Sequence, residues 1–120
     1  MNDRELLELA AKAAGLIKHK YCDAWKAMAT YTLQDGYYGP TWNPLKDDGD
    51  ALRLANDLGL TIGQGWNSAY VDLCSGELLG LMPAGGCQHE VHWEEFGGDK
   101  HAACRKAIVL CAAQIGEYMP

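Results

Sequence analysis

Side chains able to do chemistry gather in one stretch and just beyond it: Cys87, His89 and His92, then His101 and Cys104. Thiolates and imidazoles are the ligands that zinc prefers. The spacing does not suit a zinc knuckle, because the chain has no Cys-x-x-Cys. His89 and His92, three apart on a strand, would point to opposite faces. Cys104 already has a role as a packed thiol in a helical pattern. The stretch also offers a nucleophile. Cys87 follows Gly85-Gly86, a turn that could expose a thiol, with His89 close by. No hydrolase signature surrounds it, and Glu90, Glu94 and Glu95 read as a solvated acidic face. The expectation is therefore no metal and no cofactor. A small metal protein or enzyme centred on Cys87, His89 and His92, with His101 in reach, stands as the alternative.

Phosphate binding would need a Gly-rich turn opening a helix. Gly63-Gln64-Gly65 leads instead into a strand pattern. Gly97-Gly98 is better placed, with Lys100, Arg105 and Lys106 nearby, but Asp99 occupies the position a phosphate would take. Aromatic residues offer a more open reading. Trp25, Tyr31, Tyr37, Tyr38, Trp42, Trp66, Tyr70 and Trp93 are many for a domain with one Phe. Trp and Tyr combine an apolar body with a polar tip and favour interfaces. Tyr37 and Tyr38, beside a Gly-Pro break, and Trp25, amid Lys18, Lys20 and Lys26, are the candidate ligand- or partner-binding residues. That basic patch suits a small anionic ligand, and it equally suits a solvated edge.

The elements that must position these residues are locally signalled. Asn2 caps a first helix, with Glu5 as its capping-box partner and Gly15 as its left-handed stop. Ala27 to Leu33 reads as a strand, and Gln34-Asp35-Gly36 as a turn. Asp47, Asp48 and Asp50 open a second helix with the stripe Ala51, Leu54, Ala55 and Leu58, and Gly59 follows it. Asp48-Gly49-Asp50 lacks the alternating ligands and terminal Glu of a calcium loop. Ala69 to Leu73, Leu78 to Met82 and Gln88 to Trp93 read as short strands. A last helix runs from its cap Asp99 to Tyr118, with the stripe Cys104, Ile108, Cys111 and Ile115. Three helices and short strands too closely spaced for βαβ crossovers predict an α+β fold: a small, mostly antiparallel sheet layered with about three helices. The 120 residues make one domain, 1–120.

Three stretches carry a resemblance. They are Asn2-Asp3-Arg4-Glu5-Leu6-Leu7-Glu8-Leu9-Ala10-Ala11-Lys12-Ala13-Ala14-Gly15, then Trp42-Asn43-Pro44-Leu45-Lys46-Asp47-Asp48-Gly49-Asp50-Ala51-Leu52-Arg53-Leu54-Ala55, and last Ala103-Cys104-Arg105-Lys106-Ala107-Ile108-Val109 with Ala112-Ala113-Gln114-Ile115-Gly116. Together, over less than half the chain, they resemble a group of small tailed-phage proteins described as a phage ABA-sandwich domain, a sheet between helical layers. The resemblance implies a phage origin and that sandwich. It brings no catalytic residues with it. Residues 16–41 and 60–98 depart from the pattern, so a specific function is expected there, as variable loops on a shared scaffold.

Composition narrows the activity. Ten Lys and Arg against 16 Asp and Glu give a net charge of −6. That excludes non-specific nucleic-acid binding, which needs surplus cations, and docking on an anionic membrane. The acidic start Met1-Asn2-Asp3-Arg4-Glu5 is no signal-peptide n-region, so the expected location is the cytoplasm of an infected bacterial host. Five cysteines, an odd number at irregular spacing, argue against a disulfide framework. A small acidic phage protein without catalytic motifs most economically acts by binding. The expected function is antagonism of a bacterial anti-phage defence system. The partner would be a host defence protein, such as a CRISPR effector with a basic channel (an anti-CRISPR role), or a small signalling nucleotide. A structural or oligomer-forming phage component is a further alternative, and a homo-oligomer would cover sheet surface that the helices leave open.

Overall fold

The computed structural model describes residues 1–16, 19–32, 37–73, 80, 82 and 86–120. Helix α1 (Asp3–Ala13) is followed by strands β1 (His19–Cys22), β2 (Ala27–Thr32) and β3 (Tyr37–Trp42). Then come α2 (Asp48–Leu58), β4 (Thr61–Gln64), β5 (Ser68–Leu73), β6 (Cys87–His92), a 3-10 turn (Trp93–Phe96) and α3 (Lys100–Tyr118). The fold is α+β, as expected. Its described strands fall into two antiparallel three-stranded sheets, β1-β2-β3 and β4-β5-β6, rather than one. The expected strand Leu78 to Met82 lies outside the described residues, apart from Gly80 and the buried Met82.

The helix ends follow their local signals. The Asn2 carboxamide oxygen accepts from the Glu5 amide at 2.8 Å, Asp47 accepts from the Asp50 amide at 2.8 Å, and Asp99 accepts from His101 and Ala102. After α1, the Leu16 amide returns to the Ala11 carbonyl across Gly15, whose φ is +79°. That is the left-handed closure glycine allows at least cost. Helix α2 buries Ala51, Leu54, Ala55 and Leu58, the stripe its sequence carries.

Helix α3 is the centre of the molecule. It lies across β5 and β6 and packs against both α1 and α2. Accordingly Ala103, Ala107, Ile108, Val109, Cys111, Ala112, Ala113 and Ile115 are all buried, on more than one face. A helix apolar all round belongs in a core. Its small residues let neighbours come close. A Cβ at Gly116 would fall on the backbone carbonyl of Leu9 in α1.

The three stretches that carry the resemblance meet at this helix. Arg105 donates from Nε to the Leu45 carbonyl at 3.0 Å and from Nη1 to Asp48 at 2.6 Å. Lys106 pairs with Asp3 at 3.6 Å. Within the Trp-Asn-Pro-Leu segment, the Asn43 amide donates to Asp50 and the Asn43 side chain accepts from Leu45. Pro44 is fully buried, and Trp42 packs on the core. The segment's carboxylates hold the α2 cap, the Asn43 amide and the guanidinium groups of Arg53 and Arg105.

Candidate functional site

The residues of the alternative metal or nucleophile cluster lie on different faces and elements. Strand β6 turns Cys87, His89 and Val91 inward and Gln88, Glu90 and His92 outward. Cys87 pairs with Cys111 of α3 as a disulfide, with Cα atoms 6.1 Å apart. This corrects the expectation against disulfides at these two positions, Cys111 being read as a member of the apolar α3 stripe. The physical reason is non-local: the inward face of β6 rests on α3, and a separation of 24 residues carries no motif. One ring nitrogen of His89 bonds Gln114 of α3 at 2.7 Å, while His92 faces Glu90 at 3.3 Å on the other side of the sheet. His101 and Cys104 lie apart from these, on the N-terminal half of α3. Among the described residues no three His, Cys, Asp or Glu side chains are arranged to hold a metal ion. Cys22 is a buried free thiol and Cys104 a half-buried one; Cys74 lies outside the described residues. Burial pushes the Cys104 thiol up, so it stays protonated and weakly nucleophilic at neutral pH. At Gly97-Gly98, the Asp99 carboxylate takes the first amides of α3, and hydrogen bonds from Ala102 and then His101 hold its carboxyl below the usual range.

Of the expected binding residues, Trp25 and Lys20 have described side chains. Trp25 sits in the turn between β1 and β2 and is 52% exposed. Tyr37 and Tyr38 open β3, paired with Thr32 and Tyr31, and their side chains lie outside the described residues, as does Lys18 altogether. Lys20 is exposed on β1 and shares a groove with two cations of α1. A groove of about 490 Å³ runs between α1 and β1-β2. Its floor is Ala11, Leu16 and Met28, its wall Tyr21, and its rim Arg4, Lys12, Lys20 and Glu8. Arg4 bonds Glu8 at 2.7 Å and lies 5.4 Å from the centre of the Tyr21 ring. Lys12 donates to the Met119 carbonyl at 2.8 Å. Among the described residues Lys20 alone of the three has no ion pair or hydrogen bond.

The sequence reading passed over Trp66 as a contact. It occupies the tip of the β4-β5 hairpin and is 94% exposed. The tip is held at both sides. The Gly65 amide donates to the Ser68 carbonyl at 2.7 Å, and the Trp93 amide donates to the Asn67 carbonyl at 2.8 Å. Ser68 is buried at the base. A large indole is therefore presented to solvent on an anchored turn. The available signal was its place in Gly65-Trp66-Asn67, a turn flanked by alternating strands, where a residue type usually well buried has no core to enter.

Beside this tip the inner face of β4 is left uncovered, because α3 lies under β5 and β6. A trough forms between β4, α3 and α2. It consists of two adjoining cavities, about 370 and 240 Å³, that share His101 and Cys104. Gln64, Gly65, Trp93 and Lys100 line the first, and Ala51, Leu52, Ile62 and Ile108 line the second. The Trp93 indole nitrogen is buried without an acceptor. No helix of the described residues is long and apolar enough to cross a membrane. Comparison of the chain with protein-family models, with curated proteins and with solved structures finds no match.

Proposed function

We propose that this protein acts by binding a macromolecular partner and that its setting is a phage's antagonism of a bacterial defence system. The observation that carries the reading is Trp66, 94% exposed on a turn fixed from both sides. An exposed Trp on a rigid element is the residue type that most often anchors a protein interface, because it buries roughly 150–250 Å² with little entropy to lose. The net charge of −6 suits a partner whose surface is basic, as a nucleic-acid channel is. The phage setting rests on the resemblance described above. A second reading, capture of a small anionic nucleotide, is favoured by the groove in which Lys20, without an ion pair among the described residues, lies beside Arg4, Lys12 and Tyr21.

The test is plaque formation on a panel of hosts that each carry one defence system and express this chain. The wild-type protein restores infection against one system, and Trp66→Ala, with its fold unchanged, loses the effect. Truncating an anchor of this kind costs at least about 2 kcal/mol, or roughly thirtyfold in Kd. Wild-type protein inert on every system would remove the defence setting. Full activity of Trp66→Ala would remove the hairpin tip as the contact.

A further inference from the structure

The binding reading leaves open what the trough beside Trp66 receives. Two independent features meet there. Strand β4 is the edge of its sheet and pairs only with β5, so among the described residues the backbone groups along its other side have no strand to meet. Such an edge is a template for another strand. The trough under β4 is itself divided by chemistry. Its far end is mostly apolar, with Ala51, Leu52, Ile62 and Ile108, and is bordered by the Asp48–Arg105 ion pair. Its near end carries the polar groups of Lys100, His101 and Gln64 beside Trp93 and Cys104. Lys100 has no carboxylate partner among the described residues, whereas Arg105 is spent on Leu45 and Asp48. The Trp93 indole N–H, buried and without an acceptor, lies among the groups forming that end. An unmet buried donor calls for an explanation.

We infer that this trough docks an extended peptide segment of the protein partner, which adds a strand to the free edge of β4 and sets a carboxylate beside Lys100 and His101. The inference rests on the binding reading and names the partner's recognised form. A strand satisfies both features at once. Its main chain pairs with the edge, and its alternate side chains enter the apolar end. A small anionic amphiphile would fill the trough but leave the edge unpaired. Thr61–Gln64 spans about 13 Å at the rise of a strand, enough to pair with about four residues of the peptide. The carboxylate belongs to a chain end or to an Asp or Glu side chain.

The test is selection of a displayed library of random heptapeptides with free C-termini on the immobilised full-length protein. Ile62→Glu and Lys100→Glu serve as controls, since both positions are exposed and neither substitution should unfold the chain. The expected result is enriched peptides that bind wild type and lose at least about tenfold in affinity on each variant. Bound peptide should slow amide exchange at residues 61–64. Amidating the peptide C-terminus weakens binding if the chain end supplies the carboxylate and leaves it unchanged if a side chain does. No enrichment over Ile62→Glu, or protection of amides elsewhere, overturns the proposal. So does a wild-type protein that is already dimeric with those amides protected, because the occupant is then a second copy. Saturable binding of hexanoate in the trough with no peptide selected overturns it in favour of a small molecule. Defence antagonism that is lost in Trp66→Ala but kept in Ile62→Glu would leave the binding reading standing and remove this docking site.

Discussion

Arg105 offers a prediction in which two effects can be separated. The guanidinium joins α3 to the Trp-Asn-Pro-Leu segment through a neutral carbonyl, Leu45 at 3.0 Å, and through a carboxylate, Asp48 at 2.6 Å. The shorter contact is the weaker one energetically. The Asp48 side chain is 70% exposed and that of Arg105 is 16% exposed, so water screens the pair to about 0.5 kcal/mol. The bond to the half-buried Leu45 carbonyl has a charged donor and contributes about 1.5–3 kcal/mol, and its loss leaves that carbonyl unmet. Arg105→Met keeps the apolar stem and removes both bonds. The expected cost is about 2 kcal/mol. At about 2.1 cal/mol/K per residue over 120 residues the unfolding entropy is near 0.25 kcal/mol/K, so Tm falls by about 8 °C. Asp48→Asn removes the ion pair and a first-turn charge of α2, for less than about 1 kcal/mol. Urea unfolding of both variants, with unchanged slopes, measures the two costs. Equal losses, or a larger loss for Asp48→Asn, would refute the assignment of the anchor to the Leu45 carbonyl.

Other perturbations have equally definite outcomes. Replacing Cys87 and Cys111 together by Ala opens a loop of 24 residues and costs about 3.5 kcal/mol on the loop-entropy estimate; alkylation followed by mass measurement should find only Cys22, Cys74 and Cys104 reactive in the unreduced, unfolded protein. Gly116→Ala drives a methyl group into the Leu9 carbonyl, which belongs to backbone and cannot rotate away. The overpacking cost of about 1–3 kcal/mol outweighs the gain of about 1 kcal/mol in helix propensity, and a lowered urea midpoint checks the sign. Asp99 has a folded pKa depressed chiefly by the Ala102 amide. Its contribution is present above the ordinary Asp pKa and is lost as pH falls through the lowered value. Thermal melts should therefore separate wild type from Asp99→Ala at neutral pH and bring them together at strongly acidic pH.

What the sequence made legible is what neighbours in the chain decide. Asn2, Asp47 and Asp99 cap the helices as read, because a cap needs only the amides two or three residues on. The α2 stripe and Gly59 stop were legible for the same reason. Strand β2 was read within one residue of its observed end, and the opposite facing of His89 and His92 follows from strand alternation. What escaped depends on contacts between distant segments. Cys87 meets Cys111 only because α3 crosses the inner face of β6. Arg105 read as a stray cation near a possible phosphate, but the packing of α2 on α3 brings it to Leu45, 60 residues away. That Lys20 shares a groove with Arg4 and Lys12 of α1 is likewise set by packing between distant segments. Trp66 is one of the Trp and Tyr residues that composition alone does not rank, and its exposure depends on how the hairpin tip projects from the sheet. The trough is illegible in the sequence, since it is the space left between β4, α2 and α3 where α3 centres on β5 and β6.

Native mass spectrometry of the chain, purified from a host carrying the defence system it antagonises, tests the central claim most directly. Binding through the hairpin tip predicts a discrete complex with one host protein for wild type and bare chain for Trp66→Ala. Bare chain from both, or a nucleotide-sized mass carried equally by both, would contradict it.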